Sequence, residues 1–154
     1  MTFHSFDTSS LLNGRRDLLP PKVFKTLWLN IEAMIDAGDV RSVDVVLHEL
    51  SQRDDDVHAW AKEQGALFLP LDHDIQRATS EILQLHPKLM GVGGGRNGAD
   101  PFVIALARVR GGVVVTEETA SGNIQKPRIP DVCDAINVPW VNLIGFVTAQ
   151  GWSY

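Results

Sequence analysis

Cysteine is almost absent from this chain: Cys133 stands alone among 154 residues. No internal disulfide can form, and the residue reads as a small buried hydrophobe in a protein kept under reducing conditions. Long apolar runs are missing as well. No window approaches the ~20 apolar residues of a membrane-spanning helix, and Met1 to Asp7 carries neither a basic nor an apolar leader pattern. A cytoplasmic location without membrane contact is therefore expected. Positive charge is in deficit, with a net charge of −5, which excludes a nonspecific coat protein for nucleic acid. It leaves room for an enzyme that meets nucleic acid through bound divalent cations. The five histidines never fall into an H-E-x-x-H spacing, which argues against a zinc hydrolase. There is no repeat, linker or low-complexity tract. With 44% hydrophobic and 21% charged residues, the chain has the composition of one globular domain spanning residues 1–154.

The stretch from Gly98 to Glu118 organises the rest. Asp100 has the chemistry of an N-cap, Pro101 suits a first helical position, and Phe102 to Val109 is an apolar run of helix formers. Gly111-Gly112 ends the helix. The β-branched run Val113-Val114-Val115 is then short and apolar enough to be a buried strand of a parallel sheet, and it stops at Glu117 and Glu118. One acid thus opens a helix and others close a strand, where open α/β sheets bind their ligands.

The remaining elements follow in order. Phe3 to Phe6 is a candidate first strand ending at Asp7, with a hydroxyl-rich turn, Thr8-Ser9-Ser10, before a helix near Leu11. After the Pro20-Pro21 break, Val23, Phe24, Leu27, Trp28, Ile31, Met34 and Ile35 fall on one helical face that stops at Gly38. Val40 to Val43 is a short strand, and Asp44 caps a helix carrying Glu49, by default a solvated charge. Asp54-Asp55-Asp56 invites a metal reading but is better explained as a helix N-terminus, where acids meet the positive end of the dipole. Leu67 to Pro70 leads into an amphipathic helix with Ile75, Ala78, Ile82 and Leu85 inward, ending at His86-Pro87.

The glycines from Gly91 to Gly98 lack the spacing of a Walker or dinucleotide loop. They read as a loop feeding the Asp100 helix, with Arg96 at the mouth of the site as a substrate-binding candidate. Thr119 to Pro130 is a polar surface loop, residues 130–136 a short helix, Trp140 to Leu143 a last strand and Leu143 to Gln150 a closing helix.

This order implies an α/β fold, a mostly parallel central sheet with helices on both faces. All strand carboxyl ends then point one way, so Asp7, Glu117 and Glu118 share an edge that the Asp100 helix can join, with Glu49 coming in from a neighbouring helix. Such carboxylates repel one another unless a cation neutralises them. An all-carboxylate set favours Mg²⁺ or Mn²⁺, the device for attacking a phosphodiester.

Four segments carry a family resemblance: Phe6-Asp7-Thr8-Ser9-Ser10-Leu11, Val45-Val46-Leu47-His48-Glu49-Leu50, Ala99-Asp100-Pro101-Phe102-Val103-Ile104-Ala105-Leu106-Ala107 and Val113-Val114-Val115-Thr116-Glu117-Glu118. In this order they resemble the PIN-domain ribonucleases, the fold of VapC-like toxins of bacterial toxin–antitoxin systems, over nearly the whole chain. The resemblance implies a PIN-like three-layer α/β/α fold and a Mg²⁺- or Mn²⁺-dependent endoribonuclease. Its catalytic and metal-holding acids would be Asp7, Glu49 and Asp100, supported by Thr8, Ser9 and Thr116. The family's fourth acid is usually an aspartate two residues after the strand-end threonine, which lands on Glu118; Glu117 and Asp131 stay as alternatives. RNA as substrate, a small antitoxin covering the acidic cleft and a homodimer are implied in the same way. The alternative is a catalytically degenerate PIN-like module that binds RNA or protein. A phosphatase of the aspartyl-phosphate type ranks last, because Asp7-Thr8-Ser9 lacks the second aspartate.

Overall fold

The computed structural model describes residues 2–90, 98–123 and 125–154. Arg96 and the glycine-rich stretch before it lie outside the described residues. Among those described, eight α-helices surround a five-stranded sheet: β1 (His4–Phe6), α1 (Thr8–Asn13), α2 (Lys25–Ala37), β2 (Val40–Val43), α3 (Asp44–Ser51), α4 (Asp55–Glu63), β3 (Phe68–Leu69), α5 (His73–Leu85), α6 (Asp100–Arg110), β4 (Val113–Val115), α7 (Ile129–Ile136), β5 (Trp140–Val141) and α8 (Leu143–Gln150). The strand order is β3-β2-β1-β4-β5, and every pairing is parallel. This is a three-layer α/β/α arrangement, as expected for a PIN-like fold.

β1 sits at the centre because it is buried on both faces. His4 and Phe6 point to one side, where each ring meets the Phe146 ring of α8 edge-on, with centroids 4.8 and 5.1 Å apart. Ser5 points to the other side and donates from Oγ to the Val103 carbonyl of α6 at 2.8 Å. α6 is the central helix, packed on β1, β2 and β4 and against α5. Its run Val103 to Ala107 is fully buried, so it is apolar all round rather than along one stripe.

Several expectations needed correction. The first helix begins at Thr8 rather than near Leu11, because Asp7 itself caps it by accepting the Ser10 N–H at 2.8 Å. The second long helix begins at Lys25, which leaves Val23 in the preceding turn and 72% exposed. Leu85 closes α5 and is 66% exposed instead of facing inward. Phe68–Leu69 pairs with β2 as an edge strand that the sequence pattern did not mark. A π-helical turn, Gly14–Leu18, follows α1; a Cβ at Gly14 would come within 2.6 Å of Leu143 Cδ2, so a larger residue there would make the Leu143 side chain of α8 shift. The acidic triplet is the N-terminus of α4, with Asp54 as cap accepting the Val57 N–H at 2.9 Å.

Two further caps differ. Val43, not Asp44, precedes α3. Ala99, not Asp100, precedes α6. Asp100 is the first residue inside the helix, and the cap position has no side chain to offer an acceptor.

Candidate active site

The chain order of the strands reverses at β1, with β2 and β3 on one side and β4 and β5 on the other. The carboxyl ends of β1 and β4 therefore flank the topological switch point of a doubly wound sheet, where such folds form their ligand crevice. Asp7 follows β1 directly, and Thr116, Glu117 and Glu118 follow β4.

Asp7 is almost fully buried, at 1% exposure, and its carboxylate accepts from three residues. Ser9 Oγ donates to its two oxygens at 2.8 and 3.0 Å, Thr116 Oγ1 to Oδ2 at 2.5 Å, and the Ser10 N–H to Oδ1. Burial raises its pKa to about 7; the Thr116, Ser10 and Ser9 hydrogen bonds work against that rise, and the charge of Glu118 adds to it. The same hydroxyls clamp the opposite strand end. Ser9 Oγ accepts the Glu117 N–H at 2.9 Å and Thr116 Oγ1 accepts the Glu118 N–H at 3.0 Å. Thr116 and Ser9 therefore hold β1 and β4 together at the crevice.

Glu49 arrives from α3, half-buried. Its Oε1 accepts from Thr8 Oγ1 at 2.5 Å and its Oε2 from the Ala99 N–H at 3.1 Å. A carboxylate from a different helix thus takes the N–H of the α6 N-cap residue, the bond that an acid at the third helical position makes in a capping box. Asp100 is thereby left out of its own helix cap. Its carboxyl is buried, and Oδ2 has no hydrogen-bond partner in the protein. Burial holds its pKa well above the carboxylate range, and the charges of Glu118, Asp7 and Glu49 push the same way.

Glu117 and Glu118 part company. The Glu117 carboxylate accepts the Leu143 N–H of α8 at 2.7 Å. Glu118 accepts the Ile129 N–H of α7 at 3.3 Å and lies close enough to Asp100 for the two carboxyls to act on each other's charge. Burial raises the Glu118 pKa, while the Ile129 N–H, the Asp100 carboxyl and the Arg128 guanidinium oppose the rise. Asp131 lies apart. Its carboxylate accepts from the N–H groups of Ser121, Gly122 and Arg128 and from Ser121 Oγ. Burial alone would raise its pKa, but those bonds together outweigh that and hold it below its ordinary value. Asp131 anchors a loop. Cys133 is a buried thiol, as expected, pushed up by burial.

The structure therefore brings Asp7, Glu49, Asp100 and Glu118 into one electrostatic cluster with Thr8, Ser9 and Thr116 around it. Among the described residues, no group of three or more His, Cys, Asp or Glu side chains is arranged to hold a metal ion as the side chains lie. The donor chemistry nevertheless fits a hard divalent cation. All the ligating groups are carboxylates, they are buried against one another's charge, and Asp100 Oδ2 is buried without a partner. The sequence pattern missed the backbone donors, the N–H groups of Ser10, Ala99 and Ile129. Only an aspartate followed by three hydroxyl residues signalled the first of them.

No curated protein matches this sequence. A family model described as a domain of unknown function (DUF4411) matches residues 4–154, and with it every acid of the cluster: the chain belongs to that family.

Proposed function

We propose that this protein is a Mg²⁺- or Mn²⁺-dependent endoribonuclease, the toxin component of a toxin–antitoxin pair acting in the cytoplasm. The observation that carries the reading is Asp100. Its carboxyl is buried at the switch point, Oδ2 has no partner, and three other carboxylates bear on it. Burying so much like charge is costly unless a cation offsets it. Asp7, Asp100 and Glu118 would hold the ion, with Glu49 as the fourth acid. When bound, it supplies an activated water and stabilises the leaving oxygen of a phosphodiester. RNA as substrate and a small antitoxin as partner rest on the resemblance to PIN-domain ribonucleases, as does a homodimer.

The protein's own residues do the positioning. Ser9, Thr116 and the Ser10 N–H fix the direction of the Asp7 carboxylate. Thr8 and the Ala99 N–H do the same for Glu49. Glu117 is a strut to α8 in this reading and not a ligand. Glu117→Gln keeps an oxygen for the Leu143 N–H and is expected to bind Mn²⁺ as the parent does. Glu118→Gln should weaken binding about tenfold or more. Calorimetric titration measures both; equal losses would move Glu117 into the cluster.

The direct test is cleavage of a labelled mixed RNA pool by the purified protein with Mn²⁺, with Mg²⁺ and with EDTA. Cutting that needs the metal supports the enzyme; cutting that persists in EDTA overturns the metal-dependent reading. A second reading, a degenerate module that binds RNA or protein, is favoured by one observation: Asp7 and Glu49 already spend their oxygens on protein donors. No heat on Mn²⁺ titration together with no cutting would establish it over the first.

A further inference from the structure

The rim of the acidic crevice carries an arginine whose backbone is built into place. After Glu118 the chain runs over the surface towards α7, and Asp131 gathers that run. Its Oδ2 accepts the Ser121 N–H at 2.9 Å, Ser121 Oγ at 3.0 Å and the Arg128 N–H at 2.8 Å, and its Oδ1 accepts the Gly122 N–H at 3.1 Å. The next residue, Ile129, donates to the Glu118 carboxylate. Arg128 is thus pinned on both sides of its α-carbon, one peptide away from a cluster acid.

Its side chain is exposed, and Nη1 stands 3.5 Å from Thr119 Oγ1, on the residue that follows Glu118. That contact is long and weak. Among the described residues the ion pair is Arg16 with Asp17, far along the chain, and Arg128 has none. Its charge reaches Glu118 without a direct bond to it. A guanidinium held beside an acidic crevice and bonded to none of its acids presents its planar fork to an anion. The crevice needs such a group, because a chain of net charge −5 with four clustered carboxylates repels a polyanion.

We propose that Arg128 is a substrate-binding residue that takes a backbone phosphate of the RNA strand at the mouth of the crevice. Asp131 is its positioning residue, bonded to the N–H groups of Ser121, Gly122 and Arg128. The inference rests on the ribonuclease reading above and adds the group that holds the substrate.

Binding of a fluorescent single-stranded RNA, followed by anisotropy in Mg²⁺ over a series of salt concentrations, tests it. Every arm carries Asp100→Asn to suppress cutting. Adding Arg128→Ala is expected to weaken binding roughly tenfold and to lower the slope of log affinity against log salt by about 0.7, the share of one phosphate contact on a single strand. Arg128→Lys should keep the slope and lose part of the affinity. Arg108→Ala removes an equal charge from the far end of α6, where the side chain is exposed, and should change neither. Unchanged affinity and slope in Arg128→Ala, with the parent binding RNA, overturn the inference and leave the ribonuclease reading standing. No RNA binding by the parent overturns both.

Discussion

Asp100→Asn is expected to abolish RNA cleavage, by about a thousandfold or more, and at the same time to make the metal-free protein more stable. The two effects have one origin. Asp100 is buried, its Oδ2 is without a partner and its neighbours are acids. A charge there lacks compensation until a cation arrives. Asparagine keeps the shape, is neutral without having to take up a proton on folding, and turns one atom into a donor that Glu118 can accept. In EDTA at pH 8 the gain should be on the order of 2 kcal/mol, or roughly 5 °C in melting temperature for a chain of this size. Cleavage assays and thermal melts in EDTA measure the pair. Retained activity would remove Asp100 from the site. A lower melting temperature would show that the aspartate is a structural group and not a charge held for a ligand.

The second large effect is a stability that falls as pH rises. The folded-state pKa of Asp7 is raised from 3.8 to about 7. Native protein therefore holds a proton that the unfolded chain gives up from about pH 4 upwards. Its contribution is fully present below the unfolded value and is lost as pH climbs through about 7. The shift corresponds to at most about 4 kcal/mol. Asp100 and Glu118 act in the same sense, their pKa values being raised as well. His4 acts in the opposite sense, since burial lowers its pKa and its contribution to stability rises with pH until the ordinary histidine value is reached. Urea melts in EDTA at pH 5 and pH 8 should show the protein less stable at pH 8, and Asp7→Asn should shrink the difference. Mn²⁺ should restore stability at pH 8 more than at pH 5, because metal binding requires ionised acids. Equal pH dependence in the parent and Asp7→Asn would place the cost elsewhere.

The candidate site shows how far local pattern reaches. Glu117 and Glu118 are neighbours in sequence, and nothing in composition or spacing separates them. In the structure they go to different helices, Glu117 to the Leu143 N–H and Glu118 to the Ile129 N–H beside Asp100. Both lie beyond the end of β4, Glu117 in a bend, and the backbone there sends only Glu118 towards the cluster. Asp131 was an equal candidate by residue type and is taken up by loop amides. Asp100 was placed correctly at a helix start but is the first helical residue and not the cap; the cap residue is Ala99, whose N–H goes to Glu49, 50 positions away.

The sequence by itself determined what depends on nearest neighbours. Gly38, Gly111 and Gly151 end their helices with positive φ. Asp54 caps α4, the Val113–Val115 run makes a buried strand, and acids stand at the strand ends. Tertiary structure alone decided the order β3-β2-β1-β4-β5. It also made Phe68–Leu69 a strand, since two half-buried residues owe that state to pairing with β2. The carboxylates that bear on one another were settled at the same level. Asp7 and Thr116 bond across 109 positions of chain. A side chain's burial and its partners are set by segments remote in sequence, and so is the free energy that turns four separate acids into one site.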